Sequence, residues 1–282
     1  MAEYSRLRRP KRVRYHFSIV FFAAVFIFGY MFYKYFTATT LEDVLSQGTA
    51  VDPDTSISEN MGDTIDDAQN TQTETPTVGE LVNPVPQSER MADDYLNNCV
   101  FIGDSVTYGL ASYNVVPASN VFASVALNIS TAETAKIDTQ YGKATVIEAM
   151  TASHPENVYI MLGSNGAAWL NANEMYQYFS SFMKQVLATC PESEIYIISV
   201  PPVTVEKESS VTTPVHNSDI DEYNEKLLDY CDRNELNYLD LNSYLKNENG
   251  VLPTDDAEND GMHFKYSTYT KFIDYVLTHV AN

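Results

Sequence analysis

Cys99-Val100-Phe101-Ile102-Gly103-Asp104-Ser105-Val106 is the stretch that decides how this chain is read. Four apolar residues in a row suit a strand buried on both faces, and Gly103-Asp104 then turns the chain so that Ser105 stands at the strand's carboxyl end. Open α/β sheets place their chemistry at that end. The pattern recurs where the apolar run 158–162 leads into Gly163-Ser164-Asn165-Gly166.

Working outward, strands are expected at 98–102, 121–125, 157–162, 194–200 and 237–241, too closely interleaved with amphipathic segments to be hairpins. Residues 172–188 place Met175, Phe179, Phe182, Val186 and Leu187 on one helical face, and 219–232 do the same with Ile220, Tyr223, Leu227, Leu228 and Cys231. A last helix after Ser267 aligns Phe272, Ile273, Val276, Leu277 and Val280. Ser218 with Asp221 three residues on predicts a near capping box at the start of the second of these helices. Strands alternating with helices imply a parallel sheet covered on both faces, an α/β domain over 91–282.

An acyl-transfer serine needs a base to take its proton, a group that orients the base, and donors for the oxyanion. His263 is the candidate base for Ser105, and Asp260, three residues before it, can reach its Nδ1 within one turn. A histidine in this role predicts a rate that rises through about pH 6 to 7. His16 borders the apolar stretch, His154 precedes Pro155, His216 lies in a polar stretch and His279 on the last helix, and none has an acid at fixed short range within a motif. Thr107 stands where a G-x-S-x-G nucleophile elbow would need its second glycine, so Ser105 is not in that motif. No Cys/His spacing suits a metal, and the acidic run 255–261 fails as a calcium loop because Ser267 occupies the position of the closing glutamate. No metal or cofactor is expected.

Ser105 within Gly103-Asp104-Ser105, Asn165 within Gly163-x-Asn165 and the Asp260-x-x-His263 pair, in that order, resemble the SGNH (GDSL-type) hydrolases. The resemblance covers 91–282 and implies a flavodoxin-like three-layer α/β/α sandwich with a five-stranded parallel sheet in the order 2-1-3-4-5. It implies Ser105, Asp260 and His263 as the catalytic set, with Gly103, Asp104 and Gly163 as supporting motif residues. It also implies an oxyanion hole formed by the backbone N–H of Ser105, the side-chain amide of Asn165, and a backbone N–H after the second strand. The family has glycine at that last position; the matching residue here is Ala126, which tolerates positive φ poorly. The activity implied is ester hydrolysis through an acyl-enzyme, with an ester or O-acetylated carbohydrate as substrate. Extracellular O-acetyltransferase domains share the motifs, so a transferase served by a membrane acyl-donor partner stays open, as does a non-catalytic wall-binding module.

The amino-terminal region adds location. Residues 1–15 carry six Lys and Arg against Glu3 alone. The apolar stretch 16–36 holds one charge, Lys34, and at about 1.5 Å per residue is long enough for a hydrocarbon core of about 30 Å. A single-pass signal anchor is expected, with a cytoplasmic amino terminus and an extracellular catalytic domain. Residues 37–90, rich in Thr, Ser, Asp, Glu and Gln with four prolines, suit a disordered tether reaching roughly 40 Å. After residue 36 there are 37 Asp and Glu against 10 Lys and Arg, which argues against nucleic acid as a partner. Cys99, Cys190 and Cys231 have apolar neighbours and are expected as buried thiols.

Overall fold

A computed structural model describes residues 81–281. Its strands are β1 (Cys99–Gly103), β2 (Val121–Ala123), β3 (Ile137–Thr139), β4 (Gly142–Ala144), β5 (Asn157–Met161), β6 (Glu194–Ile198) and β7 (Asn237–Leu239). The helices are α1 (Ser105–Ser112), α2 (Val146–Ser153), α3 (Ala172–Thr189), α4 (Val205–Glu208), α5 (Asn217–Asn234), α6 (Leu241–Leu245) and α7 (Tyr266–Leu277). β1 is buried along its whole length and pairs in parallel with β2 on one side and β5 on the other. The period-two geometry of a strand then divides its residues between two cores. Val100, Ile102, Val158, Ile160, Ile195 and Ile197 face a core closed by α2, α3 and α5. Phe101, Tyr159, Met161, Tyr196 and Ile198 face a second core closed by α1, α6 and α7. Continuous apolar strands are what a sheet covered on both faces requires.

The sheet order is β2-β1-β5-β6-β7, with β3 and β4 standing apart as an antiparallel pair. It differs from the expected 2-1-3-4-5 by those two interposed strands, which are three residues each, largely polar, and too short to show a period. The crossovers from β1 go one way to β2, and the later strands build the other way. The carboxyl ends of β1 and β5 therefore flank the point where the sheet's direction of growth reverses, the usual place for a site in such folds.

Three boundaries move for identifiable reasons. Helix α5 begins at Asn217, not 219, and no side chain of its own caps it; the Glu208 carboxylate from α4 instead accepts the Asn217 N–H at 2.8 Å. The expected Ser218–Asp221 box is therefore absent. The tether expected to run to residue 90 already belongs to the domain from Asn83: Val85 is buried, its N–H donates to Tyr238 O at 2.8 Å, and Asn83 Oδ1 accepts the Tyr238 N–H at 2.8 Å. These contacts cover the outer edge of β7, which would otherwise present unpaired backbone groups. Cys99, Cys190 and Cys231 are buried free thiols, as expected. Among the described residues no helix is long and apolar enough to cross a membrane, and the expected span at 16–36 lies outside them.

β6 stops at Ile198, short of 200, because side chains take over the backbone beyond it. Asn224 of α5 accepts the Val200 N–H at 2.8 Å and donates to Val200 O at 2.9 Å, while Asn217 accepts from Val203 N–H at 2.9 Å and donates to Val203 O at 3.0 Å. Both asparagines are buried, so the loop through Pro201-Pro202 is held from below without strand pairing. Asn224→Ala leaves the Val200 N–H without a partner in a dry environment, and urea unfolding is expected to show a loss of about 1–3 kcal/mol. A loss within experimental error would mean the loop satisfies itself another way.

Candidate active site

The turn after β1 is built around Asp104. Its side chain is fully buried, caps α1 by accepting the Val106 N–H at 3.2 Å, and accepts the N–H groups of Gly163 at 3.3 Å and Asn165 at 3.2 Å. One carboxylate therefore ties the serine turn to the turn after β5. Burial pushes this carboxyl up, the backbone N–H bonds from Asn165, Val106 and Gly163 pull it back, and the net direction is upward. Both turns also need glycine. A Cβ on Gly103 would lie 1.9 Å from the Thr107 hydroxyl, which donates to Met161 O. Gly163 has φ of 150°, and a Cβ there would lie 2.7 Å from the Tyr223 ring. Tyr223 in turn donates to Leu162 O at 3.2 Å.

Ser105 sits in the first turn of α1 with its Oγ 2.8 Å from His263 Nε2. His263 Nδ1 lies 2.5 Å from Asp260 Oδ2. The other Asp260 oxygen accepts the N–H groups of Met262 and His263, both at 3.0 Å, so a single carboxylate shapes the four-residue turn and holds the imidazole. Burial alone would raise the Asp260 carboxyl, but the bond from the His263 side chain and the two backbone N–H bonds outweigh it and hold it below its ordinary value. With Nδ1 engaged by the carboxylate, Nε2 is left to accept the serine proton.

This turn is anchored on both sides. Gly261 O accepts the Thr204 N–H at 2.9 Å, at the end of the loop that Asn217 and Asn224 support. Across the turn, Ala257 and Phe264 form an isolated antiparallel bridge, and Glu258 N–H donates to His263 O at 2.7 Å. The Glu258 carboxylate accepts from the Tyr113 hydroxyl at 2.9 Å, which links the turn to the far end of α1. Sequence reasoning gave Thr204, Tyr113, Glu258 and Tyr223 no role at the site, because none lies in a catalytic motif and each makes a supporting contact across more than fifty positions.

Asn165 reaches Ser105, but in a different orientation from the one expected. Its Oδ1 lies 3.3 Å from Ser105 Oγ, a longer alternative acceptor to His263 Nε2 for the single hydroxyl proton, while its Nδ2 donates to Leu127 O at 2.9 Å and Val125 O at 3.2 Å. Reversing the amide would set its oxygen against two carbonyl oxygens, so the chemistry of its partners determines this orientation. The Ala126 N–H donates to Ser124 Oγ at 3.3 Å. The Ser105 N–H, in the first turn of a helix, has no acceptor among the described residues. Of the three expected oxyanion donors, two are thus engaged by the 124–128 loop.

The arrangement, a nucleophile–base–acid relay beside a helix amino terminus, can perform acyl transfer. Residues 101–271 match the GDSL-like lipase/acylhydrolase family. Among curated proteins there is no match. Among solved structures, one described as an acylhydrolase from Bacteroides fragilis aligns with a TM-score of 0.50 at 14% identity, over 68% of this chain and 88% of that one. A carbohydrate esterase family 3 structure from Talaromyces cellulolyticus aligns with a TM-score of 0.46 at 12% identity, over 63% and 93%. The periplasmic domain of a lipopolysaccharide acetyltransferase from Salmonella ser. Paratyphi A aligns with a TM-score of 0.43 at 16% identity, over 64% and 81%. The family match spans more than half of the chain and contains Ser105, Asn165, Asp260 and His263, so the chain belongs to the GDSL-like lipase/acylhydrolase family.

Proposed function

We propose that this protein is a serine ester hydrolase held at the cell membrane by residues 16–36, with its catalytic domain outside the cell. The observation that carries the activity is the unbroken relay from Ser105 Oγ through His263 to Asp260, at 2.8 and 2.5 Å. His263 Nε2 takes the hydroxyl proton as Ser105 attacks an ester carbonyl. The protonated imidazole then gives that proton to the departing alcohol, leaving an acyl-enzyme. Water, deprotonated by the same nitrogen, attacks the acyl carbon; the acid leaves as the imidazole returns that proton to Ser105 Oγ, restoring the resting hydroxyl and base. Asp260 holds the imidazole in one tautomer and stabilises its charged form without itself taking the proton.

The basic segment 1–15 followed by an apolar stretch supports the location. A short acyl group on a carbohydrate, such as an acetylated wall glycan, is the substrate class we assign. Tyr108, one turn beyond Ser105 on α1, and Trp169, shortly after Asn165, expose aromatic faces of the kind that stack on sugar rings; Trp169 is 73% exposed. A fluorophosphonate probe is expected to label the chain at Ser105, as read by peptide mass mapping, and the labelled protein should hydrolyse no aryl acetate. Labelling elsewhere, or none, would remove the nucleophile assignment. Incubation with an acetyl donor and a chitooligosaccharide then separates hydrolysis, which yields free acetate, from transfer, which yields an O-acetylated glycan.

A further inference from the structure

The 124–128 loop does more than contact Asn165. The only cis peptide among the described residues is at Asn83–Pro84, so the Val125–Ala126 peptide is trans and its C=O and N–H point in opposite directions. Its carbonyl points at the Asn165 amide. Its N–H therefore points away from Asn165, and Ser124 Oγ accepts it. One peptide unit thus accounts for both engaged donors: its oxygen occupies an Asn165 N–H, and its own N–H faces the wrong side. The second Asn165 N–H stays on Leu127 O, while Asn128 Nδ2 fixes the Asn165 backbone by donating to its carbonyl at 3.1 Å.

Resting on the ester-hydrolase reading, we propose that the Val125–Ala126 peptide is a two-position switch for oxyanion binding, and that substrate turns it over. Turning it releases one Asn165 N–H and brings the Ala126 N–H round to the side on which Asn165 lies beside Ser105. The Ala126 N–H then joins the Ser105 N–H, where the resting arrangement offers the Ser105 N–H alone, while Asn165 stays held by Leu127 O. The bonds exchanged are hydrogen bonds only. Two features hold the resting position. The Ser124 hydroxyl is the acceptor that the N–H gives up. The Ala126 methyl opposes the rotation, because Ala126 is absent from the residues with positive φ and turning the peptide carries it toward that region. Val125 is 65% exposed, so its side chain does not tie the peptide down.

A switch whose active position is the minor one makes an unusual demand: loosening it should raise the rate. The full-length chain, Ser124→Ala, Ala126→Gly and Ser105→Ala are compared on p-nitrophenyl acetate and on the rate of fluorophosphonate labelling. Ala126→Gly is expected to raise kcat by roughly 5-fold to 30-fold, the factor equivalent to the roughly 1–2 kcal/mol that an L side chain costs in the left-handed region. Ser124→Ala is expected to raise it by about 2-fold to 10-fold, as loss of one neutral hydrogen bond from the resting position implies. KM should hold in both, and labelling should accelerate in parallel. Unchanged or lower kcat in both variants, at wild-type melting temperatures, overturns the switch; so does a change confined to KM. Failure of the hydrolase reading looks different, since wild type and Ser105→Ala would then be equally slow. Even in that case, a Ser105-dependent gain in either loop variant supports the switch and no gain refutes it. A crystal structure of the phosphonylated enzyme gives a second reading: Val125 O turned away from Asn165 is expected, and Val125 O still on the Asn165 amide overturns the proposal.

Discussion

Ser105→Ala and His263→Ala are each expected to lower kcat on aryl acetates by about 10⁴-fold or more, with the double variant no worse than either alone. The reason is that the two groups act as one unit. Without Nε2 to take its proton, the serine hydroxyl is a weak nucleophile near neutral pH, and without Oγ the imidazole has nothing to activate. The 2.8 Å contact between them joins residues 158 positions apart, so neither has a substitute nearby. What rate remains comes from substrate binding and the Ser105 N–H. The measurement is initial rate against substrate concentration, with thermal melts to show that the fold persists. Multiplying losses in the double variant would mean that the two residues serve separate steps.

Asp104→Ala has the largest effect expected on stability, about 3–5 kcal/mol by urea unfolding. It strips the acceptor from three N–H groups, those of Val106, Gly163 and Asn165, in a place where the side chain is wholly buried. Each donor left unpaired costs about 1–3 kcal/mol, and the lost helix cap about 1 kcal/mol more. Partial relaxation keeps the total below the sum. Asp104→Asn, which keeps one oxygen, falls between. Its pH dependence has a definite sign. The folded carboxyl is held above its ordinary value, so its contribution is fully present below the unfolded value of about 3.9 and declines as pH rises through the folded one. The asparagine does not titrate, so the gap between wild type and Asp104→Asn should narrow from acid toward neutral pH. A widening gap would mean that the buried carboxylate is stabilised more by its N–H donors than it is penalised by burial. Activity should fall with Asp104→Ala as well, because the same carboxylate positions Asn165 against Ser105.

Much of this was legible in the sequence, and the reasons are local. Val100 to Ile102 and 158–162 announce buried strands by continuous apolarity, and Phe179, Phe182 and Val186 announce a helix by their spacing. Asp260 and His263 lie within one turn, so their pairing follows from backbone geometry alone. Helix α2 was missed although Thr145-x-x-Glu148 signals it: Thr145 accepts the Glu148 N–H at 3.1 Å, and Glu148 accepts the Thr145 N–H at 2.7 Å. The orientation of Asn165 was out of reach for another reason. It is set by two carbonyls about forty positions away, and backbone carbonyls carry no side-chain identity for a sequence to display. The same holds for Val85 on Tyr238, where main chain meets main chain and the short run 81–87, broken by Pro84 and Pro86, shows no strand period.

The turn at 260–263 differs in kind from the rest of the site. Ser105 needs the whole sheet to stand where it does, whereas the acid, the base and the bond between them are specified by four consecutive residues inside the Ala257–Phe264 bridge. Acid and base therefore form one local cassette. A deletion removes both together, a graft carries both together, and drift elsewhere in the chain can move the pair relative to the serine without dissolving it.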